Sequence, residues 1–348
     1  MNLEKDILNI KKENLKKLII QIRAEIGHKR VEPDIFSFNF NQESQELVII
    51  TSDRPGKSTV IGKGGWVVGR LKEELGIRSV HVEAYSDLMV RKFRMELAGE
   101  RLKEIEKDLK SSAISNLALL LDQRIQKPHQ LISLLENFPE SQLLESRQED
   151  ITSVVALSGG VDSSSSLIIA KMLGFNPQAV TVDPGSIILP GYFKNSVENL
   201  SQRLQVDHHY LARDLDEVIK ESLDGRFHPC GRCSKLIEET VLDYAQDIDA
   251  QFIFFGDLLS TGADSLVFEG DILRINLPAL LATSKGEVKS LALKWGVEKK
   301  SGYGCPLLKE VQKKHPSMRR YSIQRIERET RAGVLEPGEA LDMIMRII

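Results

Sequence analysis

The chain has 348 residues, of which 41% are apolar and 28% charged. That length exceeds one ordinary hydrophobic core, so two or three domains are expected. The formal net charge of −3, from 47 Lys and Arg against 50 Asp and Glu, excludes a globally basic nucleic-acid binder and leaves only local basic patches to be sought.

The N-terminus, MNLEKDILNIKKENLKK, is too charged for a secretory signal, and the apolar runs are too short to span a bilayer. A cytoplasmic protein is expected. Helical apolar spacing covers about Lys5 to Ile26 through Leu8, Leu15, Leu18 and Ile22. Two strand-like runs follow, IFSFNF from Ile35 and ELVIITS from Glu46. Next come the glycine-rich VIGKGG, a helical WVVGRLKEELG and a third strand, SVHVEAY. A long charged helix is expected from about Leu88 to Leu109. Residues 111–150 read as irregular helix broken by Pro128 and Pro139, with the polar ESRQED as a domain boundary. From Ile151 the apolar runs SVVALSG, AVTVD, HHYLA and FIFFGD alternate with helical segments, which implies a parallel sheet with helices on both faces. The expected division is 1–110, a helical linker 111–150, and 151–348.

The stretch VVALSGGVDSSSS joins a buried strand to a helix. Ligands of parallel α/β sheets bind beyond the carboxyl ends of the strands. Gly159 and Gly160 let backbone N–H groups approach an anion, the N-terminus of the new helix adds free donors, and Ser158, Ser163 and Ser164 offer hydroxyls. No lysine closes the loop, so it is not a G-x-x-x-x-G-K-[ST] phosphate loop. A serine-rich helix cap is the plainer alternative, but the S-G-G-x-D-S order is more than a cap requires.

SGGVDSS resembles the pyrophosphate loop of the N-type ATP pyrophosphatase (PP-loop) superfamily, over about Ile151 to Val297. The resemblance implies cleavage of ATP between the α- and β-phosphates, adenylation of a carbonyl oxygen and displacement of AMP by a nucleophile. It implies ATP and Mg²⁺ at Ser158, Gly159, Gly160, Val161, Asp162, Ser163 and Ser164, with Asp183, Gly256 and Asp257 near the nucleotide at other strand ends.

The chain has three cysteines, too few and too scattered for a disulfide framework. Cys230 and Cys233 form a C-x-x-C entering a helix, and Cys305 lies in SGYGCP. Unrelated buried thiols are one reading. Zinc is a second, with His228 or His315 as fourth ligand. A three-thiolate iron–sulfur cluster with one iron open to hydrosulfide is a third, and a persulfide relay a fourth. The placement of the cysteines resembles the iron–sulfur tRNA thiolases that make 2-thiouridine and 2-thiocytidine. That resemblance implies a 4Fe-4S cluster on Cys230, Cys233 and Cys305, with Asp162 and the three cysteines as catalytic residues. This chain lacks the paired zinc-finger cysteines found in some of those enzymes.

Gly62-Lys63-Gly64-Gly65 is a G-x-x-G inside a helix-strand-strand-x-helix-strand order, which resembles a type II KH domain. In that fold the loop clamps the backbone of about four nucleotides. Arg54, Lys57, Lys63, Arg70 and Lys72 occur with no acidic residue between the first and last, the local excess a backbone clamp needs. A glycine turn in a small α+β domain is the alternative. A second basic stretch, Lys309 to Arg331, contains Tyr321 and reads as a solvated helical face or an RNA contact.

The expected fold is therefore α/β: a PP-loop domain with a parallel sheet flanked by helices, preceded by a smaller α+β KH-like domain. The expected activity is ATP-dependent sulfur transfer to a uridine or cytidine of tRNA. Expected partners are tRNA or another structured RNA, a sulfide or persulfide donor and, as a homodimer, a second copy of the chain, with no membrane. A small-molecule ligase or sulfurtransferase of the same superfamily, a cluster-free 4-thiouridine-type synthetase and an RNA-binding protein with a vestigial nucleotide site remain as alternatives.

Overall fold

The structure is a computed structural model that describes residues 10–42, 45–139, 151–298 and 303–348. The start of the first expected helix, Lys5 to Asn9, and the ESRQED boundary lie outside the described residues. The chain divides into two compact units, Met1–Lys92 and Phe93–Ile348. Among the described residues, no helix is long and apolar enough to cross a membrane.

The first unit runs α1 (Lys12–Glu25), β1 (Ile35–Asn41), β2 (Glu46–Thr51), α2 (Arg54–Ile61), α3 (Trp66–Leu75) and β3 (Ser79–Ala84). Central β2 pairs antiparallel with β1 and parallel with β3. Leu15, Ile19 and Ile22 recur at helical spacing on α1 and meet Leu47 and Ile49 of β2 and Val67, Leu71 and Leu75 of α3 in one core. The segment between β2 and the glycine loop is a short helix, α2, which the sequence reading left unassigned. Asp53 caps it by accepting from the Gly56 N–H at 2.8 Å, and Gly62 ends it at φ +72°. A side chain at Gly62 would place Cβ 2.2 Å from Val67 Cγ2, so α2 and α3 close on a glycine alone.

The second unit begins within α4 (Tyr85–Asp108), where the division between the units falls. Helices α5 (Ser112–Gln126) and α6 (Leu131–Glu136) follow. The sequence reading placed them in a linker. Their apolar faces, Ile114, Leu117, Leu121, Leu131 and Leu135, instead join the large core of the second unit with Leu167 and Phe175. Asn116 donates from that face to the Leu173 carbonyl at 3.1 Å.

The remaining elements are β4 (Ser153–Ala156), α7 (Val161–Met172), β5 (Pro177–Asp183), α8 (Gly191–Leu204), β6 (His208–Ala212), α9 (Asp216–Leu223), α10 (Pro229–Asp247), β7 (Phe252–Phe255), β8 (Leu266–Glu269), β9 (Ile272–Asn276), α11 (Leu277–Leu280), α12 (Lys285–Lys294), α13 (Pro306–Lys314), α14 (Arg319–Arg331) and α15 (Pro337–Ile347). The sheet order is β6-β5-β4-β7-β9-β8, parallel except for edge strand β8. Both faces are buried: Val155, Phe252 and Phe254 enter one core, while Val154, Ile253 and Phe255 enter the other. That explains why these strands read as unbroken apolar runs. The β8–β9 hairpin, turning at Gly270 with φ +65°, is an addition to the sequence reading.

A buried ion pair anchors the first unit. Lys57 Nζ lies 3.5 Å from Glu83 Oε2, their side chains 9% and 6% exposed, and Arg91 and His81 also reach Glu83. Burial alone would raise the Glu83 pKa, but His81, Arg91 and Lys57 outweigh it and hold the carboxyl well below its usual range. Lys57→Met should therefore cost the first unit about 1–3 kcal/mol in urea denaturation, because Glu83 loses one buried partner while His81 and Arg91 remain. A group with a depressed folded pKa stabilises above its unfolded value. The Glu83 contribution should be complete above about pH 4.3 and fade as pH falls further. Unchanged stability of Lys57→Met at neutral pH would show that the pair contributes nothing.

Candidate active site

Strand order reverses between β4 and β7: β5 and β6 lie on one side, β9 and β8 on the other. Ligands of open α/β sheets bind at such a switch point. The loop after β4 carries Ser158–Gly160, and the loop after β7 carries Gly256 and Asp257. They are pressed together. A Cβ on Gly256 would sit 2.6 Å from the Ser163 nitrogen, and one on Gly159, at φ +75°, would sit 2.6 Å from the Phe193 carbonyl oxygen.

Gly160 is the N-cap of α7, with Asp162 in its first turn. The first N–H groups of a helix lack intrahelical acceptors and favour an anion. The hydroxyls also bond within the protein. Ser163 Oγ accepts from the Ser158 N–H and donates to the Gly160 carbonyl, both at 3.1 Å, which ties the loop to its own helix. Ser165 donates to the Val288 carbonyl of α12 at 3.1 Å, and Ser166 to the Phe255 carbonyl of β7 at 3.0 Å. Ser164 is fully buried. The four serines are thus small residues that let α7 pack closely on both neighbours.

Asp162 forms an ion pair with Lys285, the first residue of α12. The other carboxylate oxygen, Oδ1, is buried without a hydrogen-bond partner among the described residues. Lys285 escaped the sequence reading because no motif marks it. Its position comes from the Ser284–Glu287 capping box that starts α12 and from a bond donated by its own N–H to the Val334 carbonyl. Asp257 accepts from the N–H groups of Leu258, Leu259 and Ser260 and from the Ser260 hydroxyl. Burial opposes its ionisation, but those bonds outweigh it and hold the carboxyl below its usual range. Asp183 differs from the expectation in orientation. It pairs with Lys194 of α8, which lowers its pKa, and its neighbours Val182 and Pro184 line the cavity instead.

The cavity at the switch point measures about 820 Å³. Its walls include Ser158–Ser163, Gly256, Asp257 and Lys285, and also Cys305, Lys309 and Arg325. Cys305 is the N-cap of α13, and Cys230 and Cys233 lie in the first turns of α10. Burial pushes the Cys230 thiol up to about 11 and the Cys233 thiol up to about 12, and the nearby Cys305 sulfur adds to both shifts. The topology thus gathers all three cysteines, although their Sγ atoms do not all lie within 4.8 Å of one another. His315 is committed elsewhere: its Nε2 lies 2.9 Å from the Leu223 carbonyl oxygen, and its ring fills the space over Gly225. His228 Nε2 lies 3.5 Å from Ser322 Oγ.

The basic residues of the first unit separate in the structure. Lys57 is buried on Glu83, Arg54 pairs with Asp87 at 2.8 Å, and Arg70 pairs with Glu73 and Glu74 at 2.8 Å each. These pairings correct the expectation of an open basic stretch, because the opposing carboxylates come from β3, α4 and later in α3. Gly62, Gly64 and Gly65 all have positive φ, and Lys63 is exposed at the turn.

A glycine-serine loop closing on a helix N-terminus at the switch point of a parallel sheet is the arrangement of a PP-loop domain, and the homologues place the chain in that superfamily. No family model matches it. It is 43% identical over 195 residues to an uncharacterized protein of Methanocaldococcus jannaschii, MJ1638, covering 56% of this chain and 74% of that one, and it belongs to the same family. It is 27% identical over 252 residues to the tRNA-specific 2-thiouridylase MnmA of a Bradyrhizobium species, covering 59% of each. It is 30% identical over 144 residues to the tRNA-cytidine(32) 2-sulfurtransferase of a Marinomonas species, covering 38% of this chain and 50% of that one. The chain thus spans about half to three fifths of these two thiolases. A solved structure, the U34-tRNA thiolase NcsA from Methanococcus maripaludis with its 4Fe-4S cluster, is 18% identical, with a TM-score of 0.34 over 57% of this chain and 82% of that one.

The raised thiol pKa values have a direct consequence. In metal-free protein at about pH 8, Cys230 and Cys233 should alkylate at least ~100-fold more slowly than a free thiol. Their rates should climb only as pH nears 11. Peptide mapping after iodoacetamide pulses checks this, and rapid labelling at pH 8 would contradict the assigned burial.

Proposed function

We propose that the chain is an ATP-dependent RNA sulfurtransferase acting on tRNA, which adenylates a uridine or cytidine carbonyl oxygen and replaces it with sulfur. One observation carries the reading: a single cavity is lined by the phosphate-cradling loop and by Cys305. A nucleotide and a sulfur centre would share one space, as this chemistry requires. The named relatives that act on tRNA support the choice of substrate.

In this reading the Gly159 and Gly160 N–H groups and the start of α7 hold the ATP phosphates. Lys285, positioned by Asp162, supplies a cation to the departing pyrophosphate. Mg²⁺ carried with the nucleotide would supply further neutralising charge, and Asp162, whose Oδ1 has no hydrogen-bond partner among the described residues, is a carboxylate that could help hold it. The base carbonyl oxygen bonds to the α-phosphorus as the bond to the β-phosphate bridge breaks. Sulfur then takes the place of that oxygen on the ring carbon, and AMP carries the oxygen away. Arg325 and Lys309, in the same wall as Cys305, offset the anionic charge that accumulates there.

Cys230, Cys233 and Cys305 would hold a 4Fe-4S cluster, which when bound supplies activated sulfur from a sulfide or persulfide donor. The donor set fits it. Three thiols are gathered at the starts of α10 and α13, and His315, a candidate fourth zinc ligand, is committed to the Leu223 carbonyl. Thiols pushed to about 11 and about 12 are poor nucleophiles for a persulfide relay, whereas metal ligation deprotonates them. The first unit, with its G-x-x-G turn between α2 and α3, would be a KH-like clamp for the RNA backbone.

Two experiments test this. Asp162→Ala should abolish pyrophosphate release from ATP while the protein stays folded by circular dichroism; ADP rather than AMP and pyrophosphate as products would overturn the assignment. Anaerobically prepared protein should contain iron and sulfide, and each of Cys230→Ala, Cys233→Ala and Cys305→Ala should lose both together with thiolation. Stoichiometric zinc without iron would replace the cluster by a closed zinc site.

A further inference from the structure

Trp66 is one of the chain's two tryptophans and the first residue of α3. Tryptophan is on average a highly buried residue. Trp66 instead remains 67% exposed, while Val67 is fully buried. Its indole lies along the glycine turn: a Cβ on Gly64 would sit 3.3 Å from Trp66 Cδ1 and 3.6 Å from Nε1. Gly64 therefore serves two demands at once. It allows φ +63°, and it leaves room for the indole beside the turn. The exposed ammonium of Lys63 and the exposed indole of Trp66 flank the same two glycines.

We propose that Trp66 is a base-stacking platform for single-stranded RNA held at the Gly62–Gly65 turn. The inference rests on the RNA-clamp reading of that turn and adds a residue to it. A polynucleotide strand offers phosphates and π-faces alternately. Glycines and a lysine suit the first, and a solvent-exposed indole suits the second, with little preference among bases. With Arg54, Lys57 and Arg70 already paired to carboxylates, stacking supplies affinity that charge does not.

The test uses full-length Trp295→Phe protein, so that Trp66 is the sole tryptophan, and a single-stranded oligoribonucleotide longer than the window of about four nucleotides. Binding should quench Trp66 emission. Trp66→Ala should weaken binding about tenfold without changing its salt dependence, and Trp66→Phe should restore part of the loss. A matched abasic strand should bind both proteins equally. Replacing Lys63 and Gly64 together by Asp should weaken binding and flatten the salt dependence. If that double variant weakens binding while Trp66 emission and the Trp66→Ala affinity stay unchanged, stacking is overturned and the clamp stands. If the double variant binds as tightly as the parent across a salt series, the clamp is overturned and the platform with it.

Discussion

The backbone contact between Gly256 and the first turn of α7 is the constraint on which the site depends. A single methyl group at Gly256 would meet the Ser163 nitrogen at 2.6 Å. This contact closes β7 against the loop after β4, and on the opposite side Gly159 closes against the Phe193 carbonyl. Between them the loop has one conformation, stitched by Ser163 to Ser158 and Gly160. The small residues behind it follow from the same geometry. Ser165 and Ser166 are bonded to α12 and β7, distances that larger side chains would not permit. Backbone N–H groups are thereby preorganised for an anion before any ligand arrives.

Charge is managed by pairing rather than by a broad field. Lys285 is held by Asp162, Lys194 by Asp183, Arg325 by Glu329 and Lys57 by Glu83. A chain of net charge −3 can still receive a polyanion, provided the attraction is local and geometric. Lysine on a carboxylate is also a positioned cation: in the cavity wall, the Asp162 partner fixes where the Lys285 charge stands. The same device in the first unit, buried, ties β3 to α2 and removes Lys57 from any role at the surface.

The cysteines show how helices can deliver ligands from distant parts of a chain. Cys230 and Cys233 open α10 after Pro229, and Cys305 opens α13 before Pro306. Helix starts carry positive partial charge that favours thiolates, while burial disfavours them. Burial wins for Cys230 and Cys233, which leaves them as protonated thiols; in the proposed reading, metal ligation would deprotonate them. A Leu307 N–H donated to the Ile187 carbonyl at 3.0 Å docks the start of α13 on the segment after β5, and so sets Cys305 at the cavity wall.

Sequence alone determined the alternation of strands and helices after Ile151, the phosphate-type loop and the glycine turn. Each depends on local rules: apolar runs for strands buried on both faces, and glycine where φ is positive. Four-residue spacing likewise marked α1 and α3. Most of the residues that sequence misjudged depend on partners far along the chain. Lys57, on α2, read as a surface cation because Glu83, which buries it, arrives only on strand β3. Residues 112–136 read as a linker because only the folded second unit supplies the apolar surface they cover. Lys285 carried no local mark at all. Tertiary structure decided these points because a side chain's hydrogen-bond partner and burial belong to the packed assembly of elements, and no period or motif in the chain encodes them.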